Sequence, residues 1–208
     1  MRSVQISGLQ RDALVELLNI GFGRAGAALS RLTNQRVILE VPRVGVHAMD
    51  QLTAHLAALT SDDVATVHQP FAGTLAGDAL LILSPEAAMR LQELLTDEPS
   101  LALTLDASSR EVLGEIGNIL LNACIGTFGN LLQVPVTFHA PDINIASLQS
   151  VLEQLNGGEQ EQFRYALLIT AGFKLRDAEI VGYMVIVLSV PSLARLLEAV
   201  ETWERSQV

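Results

Sequence analysis

A pattern of four residues occurs twice in this sequence, and it constrains the fold more than any other feature. The first copy contains Asp12, Glu16, Asn19 and Pro42. The second copy contains Glu111, Glu115, Asn118 and Pro141. All four positions of the second copy lie 99 residues after their counterparts in the first. The sequence therefore contains an internal repeat, with one copy at residues 11–42 and the other at residues 110–141.

Between the asparagine and the proline the two copies align without a gap. Apolar residues fall at matching positions, as in the pairs Ile20 and Ile119, Leu29 and Phe128, Leu32 and Leu131, Val37 and Val136, and Leu39 and Phe138. A solenoid would need shorter units and at least three of them. The repeat therefore predicts two homologous halves, which we place at residues 1–100 and 101–208 of one domain.

The polar residues of each copy share one narrow stripe of a predicted helix. At about 100° per residue, Glu16 lies about 40° from Asp12, and Asn19 lies about 20° to the other side. Leucine, glycine and alanine occupy the other faces of both helices. We therefore expect the two helices to lie side by side, with Asn19 and Asn118 accessible and with no internal partner saturating their amides.

The hydrophobic patterns predict the same order of elements in each half. In the first half we expect helix 9–32, strand 37–41 stopped by Pro42, helix 50–59, a hairpin of strands 64–75 and 79–83, and a helix from 84–85 to about 95. In the second we expect helix 108–132, strand 134–140, helix 143–155, strands 163–174 and 179–188, and a helix from 191 or 192 onward. The segment TDEPS at 96–100 is the expected boundary. The predicted fold class is α+β, with two pseudo-symmetric halves sharing a mostly antiparallel six-stranded sheet covered by helices.

Composition and charge exclude several classes of function. The net charge is −10, whereas nucleic acids and anionic membrane surfaces require basic patches on a protein that binds them. The longest apolar run, residues 180–190, is too short for a membrane span, and the N-terminus does not read as a secretory signal. The single cysteine, Cys124, falls on the apolar side of its helix and is expected to be buried. We expect a cytoplasmic protein.

Other motifs carry less weight. Residues 21–26 match GxGxxG, but that fingerprint requires a preceding strand, and here the preceding residues have helical periodicity. The four histidines, at positions 47, 55, 68 and 139, show no metal-ligand spacing, so we expect no metal site. The sequence contains no GxSxG motif and no P-loop.

The paired glutamate and asparagine are the constellation that has a chemical interpretation. An asparagine amide can donate and accept hydrogen bonds but cannot transfer a proton, so it suits positioning. In phosphoryl hydrolysis a protein amide can orient the attacking water, and a neighbouring carboxylate can bind a cation of the partner. The alternative is that both pairs are solvated helix residues retained from a duplication.

The duplicated pattern [Asp/Ser]-x3-Glu-x2-Asn-x22-Pro resembles the motif of the CheC family of chemotaxis phosphatases, which includes CheX and FliY. Asp12, Glu16, Asn19 and Pro42 match it in full. In the second copy Glu115, Asn118 and Pro141 match, while Glu111 stands where the family shows Asp or Ser. The resemblance covers essentially the whole chain and is to the type with two motifs.

This resemblance implies hydrolysis of the aspartyl-phosphate of the response regulator CheY. Asn19 and Asn118 would orient the attacking water, and Glu16 and Glu115 would pair with the regulator's lysine. Asp12, Pro42, Glu111 and Pro141 would support them. The protein would have no cofactor of its own, and Mg²⁺ would be held by the regulator.

The resemblance also bears on partners and assembly. The deamidase CheD is a further candidate partner, through the predicted helix at residues 143–155. With both halves in one chain we expect a monomer. The alternative function is a non-catalytic adaptor that docks CheY or CheD.

Overall fold

The computed structural model describes residues 6–60, 63–96, 107–156, 164–175 and 178–207. The first half contains α1 (Gly8–Thr33), β1 (Val37–Ala48), α2 (Met49–Ala57), β2 (Asp63–Gly73), β3 (Gly77–Leu83) and α3 (Pro85–Thr96). The second contains α4 (Ala107–Leu132), β4 (Val136–Phe138), β5 (Asp142–Ser147), α5 (Leu148–Asn156), β6 (Arg164–Leu175), β7 (Ala178–Ser189) and α6 (Val190–Gln207). The expected boundary at 96–100 falls mostly outside the described residues.

The described strands form one sheet with the order β1-β6-β7-β3-β2-β4, and β5 pairs with β2 beside β4. All of these pairings are antiparallel. Exchanging the strands of one half for those of the other reproduces the same order in reverse. The predicted α+β fold with two halves sharing an antiparallel sheet is confirmed, with seven described strands where six were expected.

Two glycines mark the pseudo-twofold axis between β3 and β7. A Cβ added at Gly77 would collide with the carbonyl oxygen of Val187, and one added at Gly182 would lie 3.3 Å from the carbonyl oxygen of Ile82. In each strand a glycine thus lies close to a carbonyl oxygen of the other half. Positions in the two halves are matched through the 99-residue repeat and the pairing registers: Leu39 and Phe138 pair with Phe173 and Phe71, so these two phenylalanines are equivalent.

Helices cover both faces of the sheet. On one face, α1, α3, α4 and α6 enclose the larger core, to which β6 contributes Leu167 and Ile169. On the other face, α2 and α5 pack over a smaller core that includes Ala166 and Leu168. Successive residues of β6 thus enter opposite cores, as the alternation of a strand requires.

The two helices that carry the motif, α1 and α4, are called the motif helices, and capping residues in the sequence account for where they are bounded. Ser7 caps α1: its hydroxyl accepts a hydrogen bond from the Gln10 amide, and the Gln10 side chain accepts one from the Ser7 amide. The helices end at residues with positive φ, Asn34 at 53° and Gln133 at 54°. These two residues occupy equivalent places in the repeat, so both helices turn back toward the sheet in the same way.

The prediction that Pro42 stops the first strand is wrong. β1 continues to Ala48, and its pairing with β6 shifts register between Glu40 and Arg43. Proline lacks a backbone donor, which an edge strand tolerates at a bulge. β1 is an edge strand, so the bulge lets it pass Pro42 without losing the sheet.

The second half differs from expectation at the equivalent place. The expected strand 134–140 is shortened to β4. A further strand, β5, occupies the start of the helix expected from residue 143, which begins instead at Leu148. Both strands pair with β2. Residues 142–147 alternate in the manner of a strand, with Ile143 and Ile145 two apart, and the open edge of β2 pairs with them.

The helix α4 is long and apolar enough to cross a membrane, but 61% of its most apolar window is buried inside the protein. Its side chains fill the larger core, as expected of a core helix. Cys124, on this helix, is free and fully buried, as predicted. Burial raises the pKa of its thiol well above the ordinary value, so it stays protonated and unreactive at neutral pH.

The motif helices α1 and α4 pack against each other through a small residue. A Cβ added at Gly21 would lie 3.2 Å from both the Ala123 carbonyl oxygen and the Cys124 Cα. By contrast, a Cβ added at Gly23 would meet nothing within 4 Å. Gly21 therefore sets the distance between the helices, and Gly23 does not.

We expect Gly21→Leu to destabilise the protein by about 1–3 kcal/mol or more, because the new side chain would press on the α4 backbone. The matched variant Gly23→Leu should keep or raise stability, since leucine favours a helix by close to 1 kcal/mol over glycine. Urea unfolding midpoints would measure both changes. Equal midpoints for the two variants would contradict this packing.

Candidate functional site

The first copy of the motif forms an exposed polar stripe on α1. Asp12, Glu16 and Asn19 are exposed, while Leu14 and Leu18 on the other side of the helix are fully buried. Among the described residues, none forms a hydrogen bond with the Asn19 side chain. The expected exposure of this stripe is confirmed, and both the donor and the acceptor of the Asn19 amide are available to a partner.

An apolar side chain borders the first stripe. Ile20, next to Asn19, is 39% exposed. A carboxylate, an amide and an exposed isoleucine on one helix surface make a site suited to a macromolecular partner. Its equivalent in the second copy, Ile119, is half-buried.

The second copy departs from the expected geometry at its asparagine. Glu111 and Glu115 are exposed, but Asn118 is half-buried. The Asn118 Oδ1 atom accepts hydrogen bonds from Gln69 Nε2 at 2.9 Å and from Asn122 Nδ2 at 2.8 Å. The prediction that no internal partner saturates either amide is therefore wrong for the oxygen of Asn118. The Nδ2 atom of Asn118 donates to none of the described residues.

The two prolines of the motif lie where strand pairing is interrupted after each helix. Pro42 falls at the bulge of β1, between Glu40 and Arg43. Pro141 is half-buried and separates β4 from β5. The segment before Pro141 is held to the sheet, because the His139 amide donates to the Pro70 carbonyl oxygen at 3.0 Å.

Gln69 and Asn122 are site residues that the sequence patterns did not identify. Gln69 is only 2% exposed and lies between Val67 and Phe71, the neighbouring core-facing residues of β2. A glutamine at a core-facing position of an apolar strand was the available sign. Asn122 lies one helical turn beyond Asn118, where the first copy has Gly23.

The other sequence motifs lie away from this stripe or lack the necessary geometry. The GxGxxG run at 21–26 lies inside α1, so it does not follow a strand. His68 Nε2 bonds to Asp78 Oδ1 at 3.0 Å, and the rings of His47 and His55 are 4.1 Å apart. In the described part of the chain, no three His, Cys, Asp or Glu residues are grouped to hold a metal ion.

Three cavities of the described part of the chain lie away from the motif, since no motif residue lines them. The largest of those characterised, of about 720 Å³, lies between the ends of α4 and α6 and is lined by Leu131, Arg195 and Trp203 among others. It includes none of the motif residues. The exposed side chains of the motif therefore lie on helix surfaces outside these cavities, which suits a protein partner better than a small molecule.

Comparison with known proteins agrees with the pattern and the fold. No family model matches the sequence. The chain is 25% identical over 148 residues to the CheY-P phosphatase CheC of Bacillus subtilis, covering 70% of each protein. The resemblance to the CheC family is confirmed. The similarity supports a role of the kind found in the CheC family.

Solved structures show the same fold. FliY of Thermotoga maritima superposes with a TM-score of 0.74 at 16% identity, over 95% of this chain and 98% of that one. CheX in the CheX–CheY–BeF3–Mg²⁺ complex of Borrelia burgdorferi gives a TM-score of 0.52 at 15% identity, over 81% and 96%. The FliM middle domain of H. pylori gives 0.62 at 14% identity, over 93% and 99%. FliY, CheX and the FliM middle domain thus share the fold of this chain.

Proposed function

We propose that this protein hydrolyses the aspartyl-phosphate of a CheY-type response regulator. The observation that carries the proposal is the exposed Glu16 and Asn19 pair on α1, with the Asn19 amide unengaged by the described residues. The similarity to B. subtilis CheC, whose name gives this activity, supports it. The fold shared with CheX, which has been crystallised with CheY, BeF3 and Mg²⁺, supports the choice of partner.

The reaction needs little from the protein beyond positioning. A water oxygen forms a bond to phosphorus as the bond between phosphorus and the aspartyl oxygen breaks. The aspartate leaves as a carboxylate, and the water protons end on phosphate and solvent. Asn19 would accept a hydrogen bond from this water and hold it in line, which is the role that an amide has in GTPases. Glu16 would pair with the regulator's lysine.

The remaining expectations belong to the same proposal. Asn118 and Glu115 would form the second site, with Asp12, Glu111, Pro42 and Pro141 supporting the two copies. The protein would need no cofactor of its own, with Mg²⁺ on the regulator, and would act as a cytoplasmic monomer of residues 1–208 in two repeats. CheD would be a further partner, and its docking segment would include α5 (Leu148–Asn156).

A non-catalytic adaptor is the second candidate function. The fold similarity to FliY and to FliM middle domains favours it, since the FliG–FliM complex of H. pylori contains a protein of this fold. An adaptor would bind the phosphorylated regulator without hastening its dephosphorylation. Measuring phosphate release from phosphorylated CheY, with and without this protein, distinguishes the two functions, because only a phosphatase would accelerate the release.

We expect Asn19→Ala and Asn118→Ala each to remove one site, so that each single variant keeps part of the activity and the double variant keeps none. Losing a water-orienting group costs on the order of 10²-fold in rate at its own site. Asn130→Ala is the matched control, because Asn130 is an exposed asparagine of α4 outside the motif. A double variant that releases phosphate at the wild-type rate would refute the assignment.

The glutamates should govern affinity rather than the chemical step. In Glu16→Gln/Glu115→Gln the contact with a lysine falls from an ion pair to a neutral hydrogen bond, so the Kd for CheY should rise by about tenfold. Glu86→Gln/Glu198→Gln removes two exposed charges elsewhere and should leave the Kd unchanged. Titration calorimetry with BeF3-activated CheY measures both. Equal affinities for the two double variants would exclude the lysine contact.

Salt should affect the association rate weakly. The net charge of −10 gives no long-range attraction toward an acidic regulator, so electrostatic steering is poor. Stopped-flow binding between about 10 mM and 150 mM ionic strength, where the Debye length shortens from about 30 to 8 Å, tests this. A steep fall in the association rate with added salt would contradict it.

A further inference from the structure

The second copy of the motif contains a group of three amides that the first copy lacks. Asn118 Oδ1 accepts from both Gln69 and Asn122, and Gln69 Nε2 also donates to the His139 carbonyl oxygen at 3.1 Å. Gln69 is 98% buried, since only 2% of it is exposed. The amides therefore connect the sheet, the chain before Pro141 and the motif helix at one point.

The backbone carbonyl of His139 fixes the direction of these hydrogen bonds. A carbonyl oxygen can only accept, so the Gln69 side chain must place its NH2 group toward it. The same NH2 group then meets Asn118, and the Asn118 amide must place its oxygen toward Gln69. One backbone acceptor thus fixes the orientation of three side-chain amides.

The consequence is that Asn118 offers a partner only its NH2 group. Both lone pairs of its oxygen are taken, and its Nδ2 donates to no residue in the described ranges. Asn19 differs, because it is exposed and its oxygen accepts from no described residue. One copy therefore presents a donor, and the other presents a donor and an acceptor.

The fold itself shows which residues make this difference. The counterpart of Asn122 in the first repeat is Gly23. The counterpart of Gln69 is Ala171. Leu39 and Phe138 are equivalent in the repeat and pair with Phe173 and Phe71, and Ala171 and Gln69 each lie two residues before these two phenylalanines. Glycine and alanine have no side-chain donor for Asn19, so its oxygen stays free of such contacts.

The amide group in the second copy does not serve packing. Gln69 Oε1 and Asn122 Oδ1 are buried and have no hydrogen-bond partner among the described residues. Burying an amide requires its polar atoms to be desolvated, whereas the alanine found at the equivalent place requires no such desolvation of its side chain. The group therefore holds Asn118 in one orientation at a cost in stability.

We propose that Gln69 and Asn122 are positioning residues that make the two copies chemically different: Asn19 orients the attacking water, and Asn118 binds the phosphoryl group as a donor and hydrolyses it slowly. Orienting the water requires an acceptor for its proton, which the held Asn118 lacks. An NH2 group can still donate to a phosphoryl oxygen. The inference rests on the proposed function for its catalytic part, and its structural part is independent of activity.

The structural part is tested by side-chain amide exchange in wild-type protein. The NH2 protons of Gln69, buried and bonded, should exchange slowly by NMR in D2O, and those of Asn118 should exchange at the rate of exposed amides. Protected NH2 protons on Asn118 would mean the reverse orientation and would overturn the proposal. This result stands whether or not the protein hydrolyses phospho-CheY.

The catalytic part is tested in an Asn19→Ala background, where only the second copy acts. Adding Gln69→Ile and Asn122→Ala frees the Asn118 oxygen, and kcat should rise by about tenfold, a part of the roughly 10²-fold that water orientation supplies, with KM unchanged. Asn130→Ala in the same background should leave both constants as they were. An unchanged or lower kcat would overturn the proposal.

Two further outcomes keep this test decisive. If Gln69→Ile does not fold, Asn122→Ala alone still removes one of the two donors and should raise kcat in the same direction, and a fall would overturn the proposal. If the wild-type protein releases no phosphate while amide exchange is as expected, the proposed phosphatase function fails and the orientation of Asn118 is retained.

Discussion

The pairing of β3 with β7 is the interaction on which the rest of the structure depends. It joins the two halves at the centre of one sheet, and it is close enough that Gly77 and Gly182 each face a carbonyl oxygen of the other half. Because the sheet is shared, residues of both halves line each core, and neither half could bury its apolar surface alone. The same pairing brings both motif helices to one face of the sheet.

Close packing of these helices then decides where the polar stripe lies. The apolar sides of α1 and α4 enter the larger core, and Gly21 allows the two backbones to approach. A helix that buries one side in this way presents the other to solvent. The exposure of Glu16, Asn19 and Glu115 is therefore a consequence of the core, since no dedicated loop or pocket holds them.

Duplication supplied two copies of one site, and the surroundings have made them different. The strand opposite Asn118 carries a buried glutamine, and the next turn of α4 carries Asn122, which together engage the Asn118 oxygen. The first copy has Ala171 and Gly23 at these places. A few side chains outside the motif are enough to change what the same asparagine offers, because an amide donates from one end and accepts at the other.

The sequence by itself determined the repeat, the order of helices and strands, the fold class and the exposed stripe of α1, because apolar periodicity and a constant offset are local properties that one chain displays directly. The tertiary structure alone decided the passage of β1 through Pro42, the division of β4 from β5 and the engagement of Asn118. The first two depend on strand edges, where a bulge can accommodate a missing donor and an open edge can pair an alternating segment. The third depends on Gln69, 49 residues away along the chain, and a contact at that separation exists only after β2 has packed beneath α4.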